Sequence, residues 1–162
     1  MNSDQQLYQS IHKGWHTYQD VLVGALRPLN ADQLSLRAAS NLRSVGQISA
    51  HIIGARARWF YLLMGEGGRE FKTLGNWDRR AAKARTAEEL ISGLEVTWQG
   101  MQAAIARWTP EDWQKTWPGE DDREPETITR QWVIWHLIEH DLHHGGEISI
   151  TLGVHGISAL AL

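Results

Sequence analysis

Residues 86–108 read TAEELISGLEVTWQGMQAAIARW. Leu90, Leu94, Trp98, Met101, Ile105 and Trp108 recur at threes and fours, the period of a helix with one buried stripe. Thr86 followed by Glu89 is a capping-box pair, in which each side chain satisfies the other's orphan backbone amide, so the spacing predicts a helix start at Thr86. Thr109-Pro110 stops it.

The same signature recurs on either side. Ser44 with Gln47 opens an upstream helix whose stripe is Val45, Ile48, Ile52, Ala55, Trp59, Leu62 and Leu63, ending at Gly65. Ser3 with Gln6 opens a first helix over roughly 4 to 27, through Leu7, Ile11, Trp15, Tyr18, Leu22 and Ala25, until Arg27-Pro28 ends it. A polar connection over 119–126 leads to a last helix capped by Thr127 or Thr129, carrying Trp132, Val133, Leu137, Ile148 and Leu152 and ending at Gly153. The segment 65–85 reads as a loop, and no stretch alternates with the period of a strand. Four amphipathic helices with no sheet predict an all-α four-helix bundle, a single domain spanning 1–162.

A weak internal echo accompanies this pattern. Leu29-Asn30-Ala31-Asp32-Gln33-Leu34 resembles Trp108-Thr109-Pro110-Glu111-Asp112-Trp113, each a short capped turn after a long helix. Taken as a repeat, it pairs helices one and two as one hairpin and three and four as another, with helix two against helix four.

Composition narrows the function classes. At 42% hydrophobic and 22% charged the chain is ordinary for a globular protein and not disordered. Sixteen Lys+Arg against nineteen Asp+Glu leave a formal charge of -3, which gives no electrostatic reason to expect a nucleic acid partner. The absence of Cys removes disulfides, thiolate metal ligands and cysteine nucleophiles, and fits a reducing, cytoplasmic setting. The first residues carry no signal pattern, and no window is apolar enough to span a membrane. Nine Trp and eight His are the unusual counts.

Four of the histidines, His136, His140, His143 and His144, fall within one stretch of the last helix. Residues four apart on a helix can aim two imidazoles at one ion, which admits His136 with His140 and His140 with His144. On a helical wheel His144 and then His140 lie beside the apolar stripe, while His136 and His143 turn to the polar side, so His140 and His144 are the pair. Two imidazoles make a weak site, and His51, at the margin of the second helix's stripe, is the third ligand. Neutral imidazoles suit zinc, nickel, copper or iron(II). His12, His16 and His155 have no matching partner and receive no role.

These residues resemble a known family. The stretch from Glu139 to Ile148 resembles the C-terminal helix motif of the DinB/YfiT-like metalloenzymes, and Ser44 to His51 is similar to their second-helix signature. The resemblance implies a four-helix bundle of unusual connectivity, a divalent metal, zinc or nickel first, held by His51, His140 and His144, and a homodimer. Family activities include thiol-dependent transfer and isomerisation and some hydrolysis, so a low-molecular-weight thiol is one implied cosubstrate. This chain departs from the family with Gly145 where Arg is frequent and Glu147 where Gln is frequent.

Three histidines leave one or two coordination positions for water or substrate, which is what separates a catalytic site from a structural one. Glu147, on the same face as His140 and His143, is placed to orient an imidazole or act as the catalytic base. Arg58, two turns beyond His51, is placed to bind an anionic substrate group. Trp59, Trp132 and Trp135 stand where a pocket above the metal would be lined, although Trp59 reads as core, and Glu139 and Asp141 project elsewhere. Two readings follow: a metal-dependent enzyme acting on a small organic molecule by thiol-dependent transfer, isomerisation or hydrolysis, or a non-catalytic helical bundle that binds metal or an apolar ligand.

Overall fold

The capping boxes form as their spacing predicts. Ser44 Oγ accepts from the Gln47 amide at 3.3 Å while Gln47 Oε1 accepts from the Ser44 amide at 3.0 Å, and Thr86 and Glu89 exchange the equivalent bonds at 3.1 and 3.0 Å. They start α3 (Val45–Arg58) and α5 (Ala87–Arg107). The computed structural model describes residues 3–119, 124–158 and 160. The other long helices are α1 (Ser3–Leu26) and α7 (Arg130–Val154). Of the two caps expected for α7, Thr129 is the one used, its Oγ1 accepting from the Trp132 amide at 3.1 Å. The helix runs one residue past Gly153, and Gly156 supplies the left-handed residue beyond it. The expected Ser3 box rests on a side chain outside the described residues.

Both members of the sequence echo are short capped helices: α2 (Ala31–Ser35) behind an Asn30/Gln33 box and α6 (Pro110–Trp113) behind a Thr109/Asp112 box. The hairpin pairing drawn from the echo does not hold. α1 packs on α5 and α7, and α3 packs on the same two, so going round the bundle the order is α1, α5, α3, α7. Helix two does lie against helix four, as α3 against α7.

Four further expectations differ from the structure. The segment 65–85 holds a helix, α4 (Gly68–Leu74), which buries Phe71 and Leu74 but is too short to show periodicity. Two three-residue strands, β1 (Thr116–Pro118) and β2 (Thr127–Thr129), pair antiparallel with Trp117 opposite Ile128. Three residues cannot display an alternation. α3 also departs, passing at Trp59–Leu63 into a π-helical turn. The wider turn shifts the phase of the stripe, so Phe60 is fully buried while Leu62, expected in the core, is 69% exposed. On α1 the stripe is buried at Trp15, Tyr18 and Leu22, Ala25 is only partly buried, and Leu7 and Ile11 face solvent.

The core of Leu22, Ile52, Ile53, Leu90, Leu94 and Leu137 surrounds one buried ion pair. Arg56 and Asp141 are both 0% exposed, and Arg56 Nη2 donates to Asp141 Oδ2 at 2.7 Å with Nε at 3.1 Å. Trp15 Nε1 donates to the same Oδ2 at 2.7 Å, and Arg56 Nη1 donates to Gln19 Oε1 at 2.7 Å and to the Leu94 carbonyl at 3.5 Å. Every long helix therefore contributes to one polar cluster: α1 through Trp15 and Gln19, α3 through Arg56, α5 through Leu94 and α7 through Asp141.

A buried charge is tolerated when it is paired and costs most when its partner alone is removed. Arg56→Met is expected to lower unfolding free energy by about 3–5 kcal/mol, and the paired Arg56→Met/Asp141→Leu to recover much of that loss. Urea denaturation of the three proteins checks this; a double variant no more stable than the single would contradict it.

Candidate metal centre

α3 carries one histidine toward α7, and α7 carries two toward α3, one turn apart. His51, His140 and His144 each place a ring nitrogen within 4.8 Å of the others. Their ring centroids lie 4.9, 4.7 and 4.3 Å apart. The three expected ligands are thus brought together.

Orientation is set from behind. His51 Nδ1 lies 2.6 Å from Asp78 Oδ2, and His144 Nδ1 lies 2.7 Å from Glu147 Oε2. A carboxylate only accepts, so both imidazoles present Nδ1–H to it and keep the Nε2 lone pair for a cation. His51 Nε2 and His140 Nε2 face each other at 3.3 Å. Two nitrogens sharing one tetrahedral zinc at ordinary bond lengths stand about 3.4 Å apart, so the donor set fits a divalent ion of that kind.

Electrostatics favours the neutral form of His140 and His144. Burial, with the neighbouring His144, His51, His136 and Arg56 adding to it, pushes the His140 pKa down to about 2. Burial also lowers that of His144, despite the opposing hydrogen bond to Glu147. His140 Nδ1 is buried and has no hydrogen-bond partner among the described residues, unlike the Nδ1 atoms of the other two.

Asp78 is the residue that sequence reasoning missed. It follows α4 within the segment read as a loop, and nothing in its neighbourhood signals a contact with a histidine 27 residues earlier. Arg58 holds it: Nη1 and Nη2 reach Asp78 Oδ1 and Oδ2 at 2.5 and 2.9 Å, and Nη1 also donates to the Gly75 carbonyl at 2.7 Å. Arg58 was expected to receive a substrate anion, but its fork is occupied by this protein carboxylate. Burial alone would raise the Asp78 pKa; the hydrogen bonds from His51 and Arg58, with the Arg58 charge, outweigh it and hold the carboxyl well below the ordinary range. Gly54 makes the approach possible, since a Cβ there would stand 2.7 Å from Asp78 Oδ1.

Glu147 is 44% exposed on its side chain; its Oε1 lies 3.7 Å from His143 Nε2. It also lines a cleft of about 330 Å³ with Asn41, Arg43, Ile48, Ile150 and Thr151. A second cleft of about 370 Å³ is lined by Arg69, Thr73, Trp77 and Val96 among others, and neither cleft is lined by a histidine of the cluster. Trp59 and Trp132 are half-buried and pack about His136, with centroids 5.0 and 4.9 Å away, and His136 lies 6.0 Å from His140. Trp135 is exposed and lines nothing there. His12, His16 and His155 contact Gln102, Trp98 and the Arg37 carbonyl, away from the cluster. Asp141 does project elsewhere, into the buried ion pair.

With this geometry in view, comparison with known proteins is informative. No curated protein is significantly similar to the chain. Among solved structures, a DinB-like protein from Bacillus cereus has 17% identity and a TM-score of 0.66, covering 95% of this chain and 96% of its own. YfiT from Bacillus subtilis, a probable metal-dependent hydrolase with an unusual four-helix bundle topology, has 15% identity and a TM-score of 0.67, covering 98% and 91%. These likenesses establish the four-helix bundle fold. The profile of the DinB family matches residues 1–160, nearly the whole sequence, and the chain belongs to the DinB family.

Proposed function

We propose that the protein is a metal-dependent hydrolase of small organic molecules, with His51, His140 and His144 as the ligands of one divalent ion. The observation that carries this reading is the convergence of three imidazole nitrogens, two of them oriented by carboxylates on the far side of the ring. The group holds three protein donors, the number used by catalytic zinc centres, whereas closed structural centres use four. The all-nitrogen donor set suits zinc and nickel, as it does copper and iron(II), and we take zinc or nickel first. When bound, such an ion supplies Lewis-acid and water-acidifying chemistry. The structural likeness to YfiT, a probable metal-dependent hydrolase, points to the same reaction class.

The remaining roles fall to side chains beside the cluster. Glu147 orients His144 through Oε2 from the side of the ring away from the ion, so of the two roles expected for it we assign the orienting one and not that of base to the attacking water. The cleft that Glu147 shares is of a size for a small molecule, with an apolar wall at Ile48 and Ile150. Arg43, which lines that cleft, is the side chain we assign to an anionic substrate group in place of Arg58. Among the described residues no helix is long and apolar enough to cross a membrane, in keeping with a substrate met in water.

Protein purified without a metal-affinity tag is expected to carry about one divalent ion per chain by elemental analysis. His140→Ala is expected to lose it with an unchanged circular dichroism spectrum, and to lose turnover in a screen of ester and amide substrates. A metal-loaded protein with no turnover across such substrates would favour the non-catalytic reading.

A second expectation concerns acid. The unfolded imidazoles of His140 and His144 take up protons below about pH 6.5, while their folded counterparts, held lower, do not. The unfolded state then binds more protons, so the metal-free protein should lose stability steadily as pH falls from about 6.5 toward 4. Denaturation midpoints that stay level over this window would contradict the assignment of neutral, buried rings.

A further inference from the structure

We propose that Asp78, clamped by Arg58, is the positioning residue that fixes the tautomer and ring orientation of His51 and thereby sets the metal affinity of the centre; this rests on the reading of His51, His140 and His144 as metal ligands. Three observations converge on it. The His51–Asp78 contact is 2.6 Å, and the Asp78 side chain is only 10% exposed. Both oxygens of Asp78 are held by the two terminal nitrogens of Arg58, so the carboxylate cannot rotate away from the ring. The space that admits the group exists because residue 54 lacks a Cβ.

His51 needs this support more than the other two. His140 and His144 are a turn apart on one helix and orient each other through packing, whereas His51 is the one member of the cluster contributed by α3. A free imidazole exchanges its proton between Nδ1 and Nε2, and a ring with Nε2–H offers no lone pair to the ion. A fixed acceptor at Nδ1 removes that alternative and raises the basicity of Nε2. Arg58 in turn keeps Asp78 ionised, and its bond to the Gly75 carbonyl ties the pair to the end of α4. Glu147 makes the corresponding bond to His144, but from a more exposed position and without an arginine clamp, so its hold is the looser.

The test uses Co2+ alone as the probe, titrated into the metal-free full chain and followed by its visible absorption. Wild type is expected to bind with a four- or five-coordinate spectrum. Asp78→Asn, close to Asp78 in shape, is expected to weaken binding about 10–100-fold. Arg58→Gln should weaken it less, Asp78→Asn/Arg58→Gln no more than Asp78→Asn, since the two act as one unit. Glu147→Gln should fall short of Asp78→Asn. Independently of metal, 15N NMR of the histidine side chains should show His51 as the Nδ1–H tautomer in wild type and as a mixture in Asp78→Asn. Absence of Co2+ binding by wild type overturns the metal centre itself. Tight wild-type binding with Asp78→Asn equal to it, or an unchanged His51 tautomer in Asp78→Asn, overturns the role of Asp78. Gly54→Ala, which displaces the carboxylate without changing charge, should reproduce the Asp78→Asn defect.

Discussion

The buried pair of Arg56 and Asp141 constrains everything else in this molecule. Neither charge reaches solvent, and each is satisfied only when four helices stand in one register. Hydrophobic packing alone tolerates sliding, because one apolar stripe fits another at several offsets. A buried ion pair does not, since any shift leaves a charge without a partner. Arg56 lies five residues beyond His51, and Asp141 lies between His140 and His144. The contact that sets the register of α3 against α7 therefore also decides which histidines meet.

Around the cluster, two carboxylates do a different job. Asp78 and Glu147 sit on the Nδ1 side of their imidazoles, so the Nε2 atoms are left to converge. Taking imidazoles out of water favours their neutral form, which is the form that ligates. The cluster thus combines burial, which favours the neutral form of His140 and His144, with anionic acceptors outside it, which orient His51 and His144. Bundle packing supplies the first condition, and individual side chains supply the second.

What could be read from the sequence was whatever is encoded within about one helical turn. The capping boxes at Ser44 and Thr86, the stripe of α5 and the His140/His144 pair are all local, and each is present in the structure. His51 was reached by its place beside a stripe. Asp78 was not, because its partners lie 20 and 27 residues away and its segment shows no period. Arg56 and Asp141 are 85 residues apart, and a charged residue on a helix reads as solvent-facing until its partner is known. Periodicity names the buried face of a helix but not the neighbour it meets, so the circuit α1, α5, α3, α7 was beyond it, and the echo of capped turns suggested the wrong hairpins. The π-helical turn misled for a similar reason: a stripe counted at 3.6 residues per turn places Leu62 inward, and the wider turn puts it outside.

The two departures from the family motif just after His144 have a physical account. At Gly145 a Cβ would lie 1.9 Å from the Tyr18 hydroxyl, so an arginine there would require the Tyr18 side chain to move from its present place against α7. Tyr18 instead donates to the Leu142 carbonyl, three residues before the substituted position. At residue 147 a carboxylate replaces the amide that the family motif favours. An ionised acceptor holds the His144 Nδ1–H more strongly than a neutral amide oxygen and leaves a second oxygen toward the cleft. Losing a guanidinium at 145 while gaining a carboxylate at 147 makes the local charge more negative by two. Arg43, in the loop before α3, lines the same cleft as Glu147, so a positive side chain remains near this face although none stands at residue 145.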